Sequence, residues 1–249
     1  MSRFNALVLL LLWALPLQAA TVTVAVAANV KAAFGDLAEA FTKTSGIEVS
    51  SVVASSGKIA AQVKNGAPYD IFLSADTEFP EALHKEGYAA GAPQIYAYGA
   101  LVLWTRNSLA LEKGLAVLAD PSVKKVAIAN PKLAPYGREA MKSLNYYKLR
   151  TAVEPRLVYG ESIAQVNQYV DTGTADVGFT AKSIVLAPET VGRGKWIEVP
   201  AESYDPIAQS AVILKHGWDA NAEASRKFFI FIFTPTARAI FRKYGYTLP

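Results

Sequence analysis

The sequence has 249 residues, a formal net charge of +4 and no cysteine, so it holds no disulfide framework and no thiol that could carry a lipid. Its Lys and Arg are scattered, with no run longer than Lys124-Lys125, which argues against a nucleic-acid partner. What remains is a mild positive field that aids solubility and attracts small anions.

Residues 1–20 carry Arg3, an apolar run over 6–15 and small residues at Ala19 and Ala20. This is the pattern of a secretory signal peptide cleaved after Ala19 or Ala20; the run is shorter than the ~20 residues a spanning helix needs. No later stretch is long and apolar enough to cross a bilayer, so no stable membrane insertion is expected.

Residues 21–28, TVTVAVAA, read as a buried strand. From Val30 the pattern turns helical, with Ala33, Phe34, Leu37 and Phe41 on one face and Gly46 closing it, and Asn29 is placed as the N-cap. Residues 47–54 and 71–75 are two further strands, joined through Ser55-Ser56-Gly57 and a helix over 58–65 that Gly66 and Pro68 stop. In such a βαβ unit the N–H groups around Ser56 and Gly57 face the crevice at the sheet's carboxyl edge, where an anion fits.

A helix over 79–86 precedes YGALVLWT, residues 98–105, which reads as one crossing strand that leaves the first domain and pairs with 210–215. Between these runs come a strand over 125–129, a turn-rich loop over 130–137, a helix over 138–149, a strand over 156–159, a helix over 163–171 and a strand over 176–180. One helix over 221–233 and, after Pro235, a last one over 237–243 should pack on the first domain. The repeated order of strand, polar turn and helix gives an α/β class.

Asn29, Ser56, Tyr136 and the pair Ser162-Ile163 share one context, the turn into a helix. Two belong to each half of the pattern, so facing halves would surround one anion with helix N-termini, and side-chain hydroxyls or an amide would add directed donors. No carboxylate stands at these positions, which favours an anion fully deprotonated at neutral pH. Lys31, Lys58 and Arg138 lie just inside three of the helices, where solvated cations are the commoner reading. A rival reading, a serine hydrolase, rests on Ser55-x-x-Lys58, but the Ser-Asp-Asn and Lys-Thr-Gly elements that accompany it elsewhere are missing. His84 and His216 are the only histidines, so a transition-metal cation is a poor fit.

Over nearly the whole mature length the chain resembles the periplasmic molybdate-binding proteins of ABC importers. The matching segments are Ala27-Ala28-Asn29-Val30, Ala54-Ser55-Ser56-Gly57, residues 66–76 (GAPYDIFLSAD), 130–137, Glu161-Ser162-Ile163, Asp176-Val177-Gly178-Phe179 and the tail IFRKYGYTL. The resemblance implies a two-domain periplasmic binding protein fold of type II, with hinge strands between domains that close over an anion in the cleft. It sets residues 21–96 and 209–249 in a discontinuous first domain and 97–208 in the second.

The resemblance further implies that Asn29, Ser56, Tyr136 and the main-chain N–H of Ile163 bind the oxygens of a metal oxyanion, not a free cation. Members lacking a tyrosine in the loop use one just after the Gly-Phe segment; Ala181 stands there, so Tyr136 supplies the hydroxyl. The implied role is capture of molybdate and tungstate, or of another oxyanion such as sulfate, by a monomeric protein without a cofactor, and delivery to membrane permease subunits.

Overall fold

The computed structural model describes residues 21–249; the expected signal peptide lies outside them. Thr21–Ala27 forms β1, buried from Val24 onward. A 3-10 turn, Ala28–Val30, leads into α1, Lys31–Ser45, which ends in the left-handed Gly46. Asn29 therefore sits inside a connecting turn and makes no capping bond, contrary to the N-cap expectation. β2 (Glu48–Ala54), α2 (Ser56–Lys64) and β3 (Ile71–Leu73) form the expected strand-helix-strand unit. α3 (Glu78–Lys85), β4 (Gln94–Gly99) and β5 (Leu101–Thr105) follow.

The middle of the chain holds β6 (Val126–Ala129), α4 (Pro135–Tyr146), α5 (Arg150–Val153), β7 (Leu157–Gly160), α6 (Ile163–Asp171), β8 (Val177–Ala181), α7 (Lys182–Val185) and β9 (Lys195–Glu198). β10 (Ile207–Ile213), α8 (Lys215–Ala220), α9 (Ala222–Phe231) and α10 (Pro235–Lys243) complete it.

The strands form two mixed sheets, ordered β2-β1-β3-β10-β4 and β7-β6-β8-β5-β9. In each, three parallel strands carry helices that start at the carboxyl edge, as short α/β connections require. The expected strand over 98–105 is two strands. β4 ends in the first sheet, paired with β10, and β5 begins the second, paired with β8 and β9. An apolar run does not show that its ends pair in different sheets. The partner of Tyr98 and Gly99 is Ile207–Ala208, not 210–215, because polar Gln209 interrupts the apolar pattern yet lies inside the strand.

The start of one helix also differs from the sequence reading. α4 begins at Pro135, a residue suited to the first helical position, so Tyr136 belongs to its first turn and not to a loop. The expected helix over 221–233 is α9, and the short α8 ahead of it is an addition to the sequence reading; Asn221 separates the two, and its side chain donates to the Thr21 carbonyl and to Asp70 Oδ2. The tail packs on the first sheet as expected: α9 contacts β1 and β10, and Phe228 meets Phe34 and Phe41 in an aromatic cluster. The edge-on Phe41–Phe228 pair, with centroids 5.0 Å apart, adds about 0.5–1.5 kcal/mol beyond its buried area.

Candidate functional site

α2, α4, α6 and the turn after β1 aim their starts at one small cavity of about 10 Å³ between the two sheets. Asn29, Ser55, Ser56, Tyr136 and Ile163 all line it. A space of this order is that of about one water molecule. Its lining residues include no charged side chain.

Ser55 is the extended residue before α2 and Ser56 is the first residue of the helix, two positions ahead of the expected start. Ser56 Oγ accepts the Ala75 N–H at 3.0 Å, so its own proton is free to point elsewhere. Ser55 Oγ is the one buried side-chain polar atom among the described residues with no hydrogen-bond partner. Leaving such a hydroxyl unsatisfied costs about 1–3 kcal/mol. The Gly57 N–H, expected to face an anion, instead donates to Leu133 O at 2.8 Å and joins α2 to the loop before α4.

Tyr136 is buried, and its Oη accepts from Gln209 Nε2 at 3.1 Å. Burial drives its hydroxyl well above the ordinary tyrosine value, with neighbouring Tyr246 and Tyr204 adding to the effect, so the group stays a protonated donor. α4 can start this close to the β6 end because residue 137 is glycine: a Cβ there would lie 2.0 Å from Ala129 O.

Asn29 is held from several sides. Its Nδ2 donates to Gln209 Oε1 at 2.9 Å and to Tyr246 Oη at 3.1 Å, which uses both amide protons. Its carbonyl oxygen accepts from Ser183 Oγ at 2.8 Å and Tyr246 Oη at 2.9 Å. What this segment can offer a ligand is the main-chain N–H set of its first turn. At α6, Ser162 caps the helix by accepting from Gln165 N at 3.4 Å, and the N–H of Ile163, at the first helical position, has no partner within the helix.

The cations near the helix starts are engaged elsewhere. Lys58 pairs with Glu161, and Arg138 with Asp76 and Glu78, each bridging elements of different sheets. Burial raises the Asp76 carboxyl above its ordinary value, while the Arg138 bond at 2.6 Å holds it back. Lys31 lines a separate void of about 240 Å³ beside Arg193, Asp171 and Glu189, and a groove of about 600 Å³ runs past Lys132, Arg150 and Tyr159. Both are larger than the central cavity, and charged side chains line each of them.

The profile of the family described as bacterial extracellular solute-binding protein matches residues 22–247. The molybdate-binding protein ModA of Azotobacter vinelandii is 41% identical over 93% of this chain and 91% of its own, and that of Rhodobacter capsulatus 40% identical over 97% and 94%. The chain belongs to the ModA family of bacterial extracellular solute-binding proteins. The solved structure of the Azotobacter vinelandii periplasmic molybdate-binding protein superposes with a TM-score of 0.86 at 35% identity, covering 92% of this chain and 99% of that one.

Family membership makes this a solute-binding protein and not an enzyme, which disposes of the hydrolase reading. Consistently, Lys58 of the Ser55-x-x-Lys58 pattern is tied to Glu161 at the surface. For this ModA-family chain the four residues singled out from sequence lie around one cavity. Sequence reasoning missed Gln209, Tyr96 and Tyr246, which hold the wall from behind. The signal for Gln209 was its polarity inside an apolar strand; Tyr246 lay in the quoted tail without a role. Among the described residues no helix is long and apolar enough to cross a membrane.

Proposed function

We propose that the protein captures molybdate, and tungstate with it, in the central cavity and delivers it to the permease subunits of an ABC importer. It works as a monomer in the periplasm and takes no cofactor. Residues 21–96 with 209–249 form one domain and 97–208 the other, and they close on the anion about the two crossing strands.

One observation carries this reading: helix starts and hydroxyls from both sheets converge on a cavity with no charged side chain. The donors are the hydroxyls of Ser56, Tyr136 and Ser55, with the main-chain N–H groups at Asn29 and Ile163. Neutral donors around a dianion make charge-assisted hydrogen bonds without a permanent counter-charge, worth ~1.5–3 kcal/mol each. After several kcal/mol for closure and lost freedom, micromolar to nanomolar affinity remains, on the order of −8 to −12 kcal/mol.

Calorimetric titration with molybdate, tungstate, sulfate and phosphate tests the proposal. One-to-one binding of the first two is the expected outcome. Preference for sulfate would retain the oxyanion site and replace its ligand.

A further inference from the structure

Three buried tyrosines, Tyr96, Tyr136 and Tyr246, stand behind or beside the cavity. Two of them give their hydroxyl protons to the protein: Tyr96 to Ser74 O and Gln209 Oε1, both at 2.9 Å, and Tyr246 to Asn29 O at 2.9 Å. The Tyr136 proton has no acceptor among the described residues, while its oxygen accepts from Gln209 Nε2. A phenol oxygen that already accepts an N–H keeps its proton for another acceptor.

Gln209 is fully buried on β10, beside the register shift between Gln209 and Ser210. Its amide is oriented by Asn29 Nδ2 and Tyr96 Oη, which both donate to Oε1. Turning the amide over would set Nε2 against Asn29 Nδ2, donor against donor. On the opposite crossing strand, Gly99 leaves the room this contact needs: a Cβ there would lie 2.0 Å from Tyr136 Oη and 2.5 Å from Gln209 Nε2.

We propose that Gln209 is a positioning residue of the anion site, whose single amide ties Asn29 on the first sheet to Tyr136 on the second and aims the Tyr136 proton at the bound anion. The proposal rests on the oxyanion reading of the cavity. Gln209 does not touch the ligand; it acts through Tyr136. The same amide sits on a crossing strand, so the donor from the second sheet is aligned only when Tyr136 reaches across to it. Closure and completion of the donor set are then one event.

The test is a double-mutant cycle read by molybdate titration of the unmutated full-length mature protein, Gln209→Met, Tyr136→Phe and the double variant. Gln209→Met is expected to weaken molybdate binding about 10-fold and Tyr136→Phe by at least that much. The double variant should bind within about threefold of Tyr136→Phe alone, because the amide has no hydroxyl left to orient. Losses that multiply in the double variant would overturn the proposal, as would unchanged binding by Gln209→Met. If the methionine variant does not fold, Gln209→Asn keeps a buried amide that falls short of Tyr136, and the same cycle is run with it. Failure of the unmutated protein to bind any of molybdate, tungstate, sulfate and phosphate overturns the oxyanion reading and this proposal with it.

Discussion

Gly57 donates its main-chain N–H to the carbonyl oxygen of Leu133 at 2.8 Å, a backbone bond from the first turn of α2 to the loop ahead of α4. The two segments approach so closely that a Cβ on residue 57 would lie 3.0 Å from Leu133 Cα and 2.9 Å from Phe79 Cζ. Helices rooted in different sheets are thereby held at the distance at which their N-termini share one cavity. The Arg138 pairs with Asp76 and Glu78 close the same boundary on another side.

Gly57→Ala should wedge this contact open. Overpacking of this kind costs ~1–3 kcal/mol, and it falls on the closed arrangement, so molybdate affinity should drop by about one to two orders of magnitude. Small-angle scattering should show less compaction on adding molybdate than for the unmutated protein. Equal compaction and equal affinity would mean that the Gly57–Leu133 contact does not govern closure.

Ser55→Ala separates ligand donation from structural support. Removing an unsatisfied buried hydroxyl should leave the ligand-free protein as stable as before, or more stable by up to ~1–3 kcal/mol. Molybdate binding should weaken by ~1–2 kcal/mol if the hydroxyl donates to the anion. A thermal melt with and without molybdate reads both quantities; a destabilised ligand-free variant with normal binding would assign Ser55 a structural role.

Tyr136→Phe keeps the ring and removes the hydroxyl, so it should cost ~1.5–3 kcal/mol of molybdate binding. A loss of only a few tenths, measured by calorimetry, would show that this hydroxyl does not face the ligand.

Burial raises the hydroxyls of Tyr96, Tyr136 and Tyr246 above the ordinary tyrosine value, and neighbouring tyrosines add to this for the first two. Above pH ~10 the unfolded tyrosines lose protons that the native ones retain, so the unfolded state binds fewer protons and stability falls as pH rises. Stability from this source is fully present below that pH. Denaturant midpoints should therefore change little with tyrosine ionisation between pH 7 and 9 and fall beyond about pH 10, less steeply in Tyr136→Phe. A slope unaffected by that substitution would contradict the burial argument for Tyr136.

Much of this site was legible in the sequence because helix starts leave a local signature. Ile163–Asp171 falls where the sequence reading placed a helix, and Ser56 and Tyr136 were singled out as residues at turns into helices. Side-chain roles were less legible. Asn29 looked like a cap, whereas its amide protons are drawn inward by Gln209 and Tyr246, partners 180 and 217 positions away in the chain. The crossing strand read as one run because nothing local marks Gly99 as the residue over which a tyrosine and a glutamine meet. Long-range hydrogen bonding, not propensity, decided both.

The central claim is that this cavity selects molybdate. Titration of molybdate into protein pre-equilibrated with excess sulfate, and separately with phosphate, tests it most directly. Phosphate near neutral pH buries an O–H among donors with no charged acceptor, and sulfate, with shorter bonds, leaves donors beyond good hydrogen-bond reach, so molybdate should win by at least ~100-fold over each. Sulfate binding within tenfold of molybdate would contradict the assignment while leaving the fold intact.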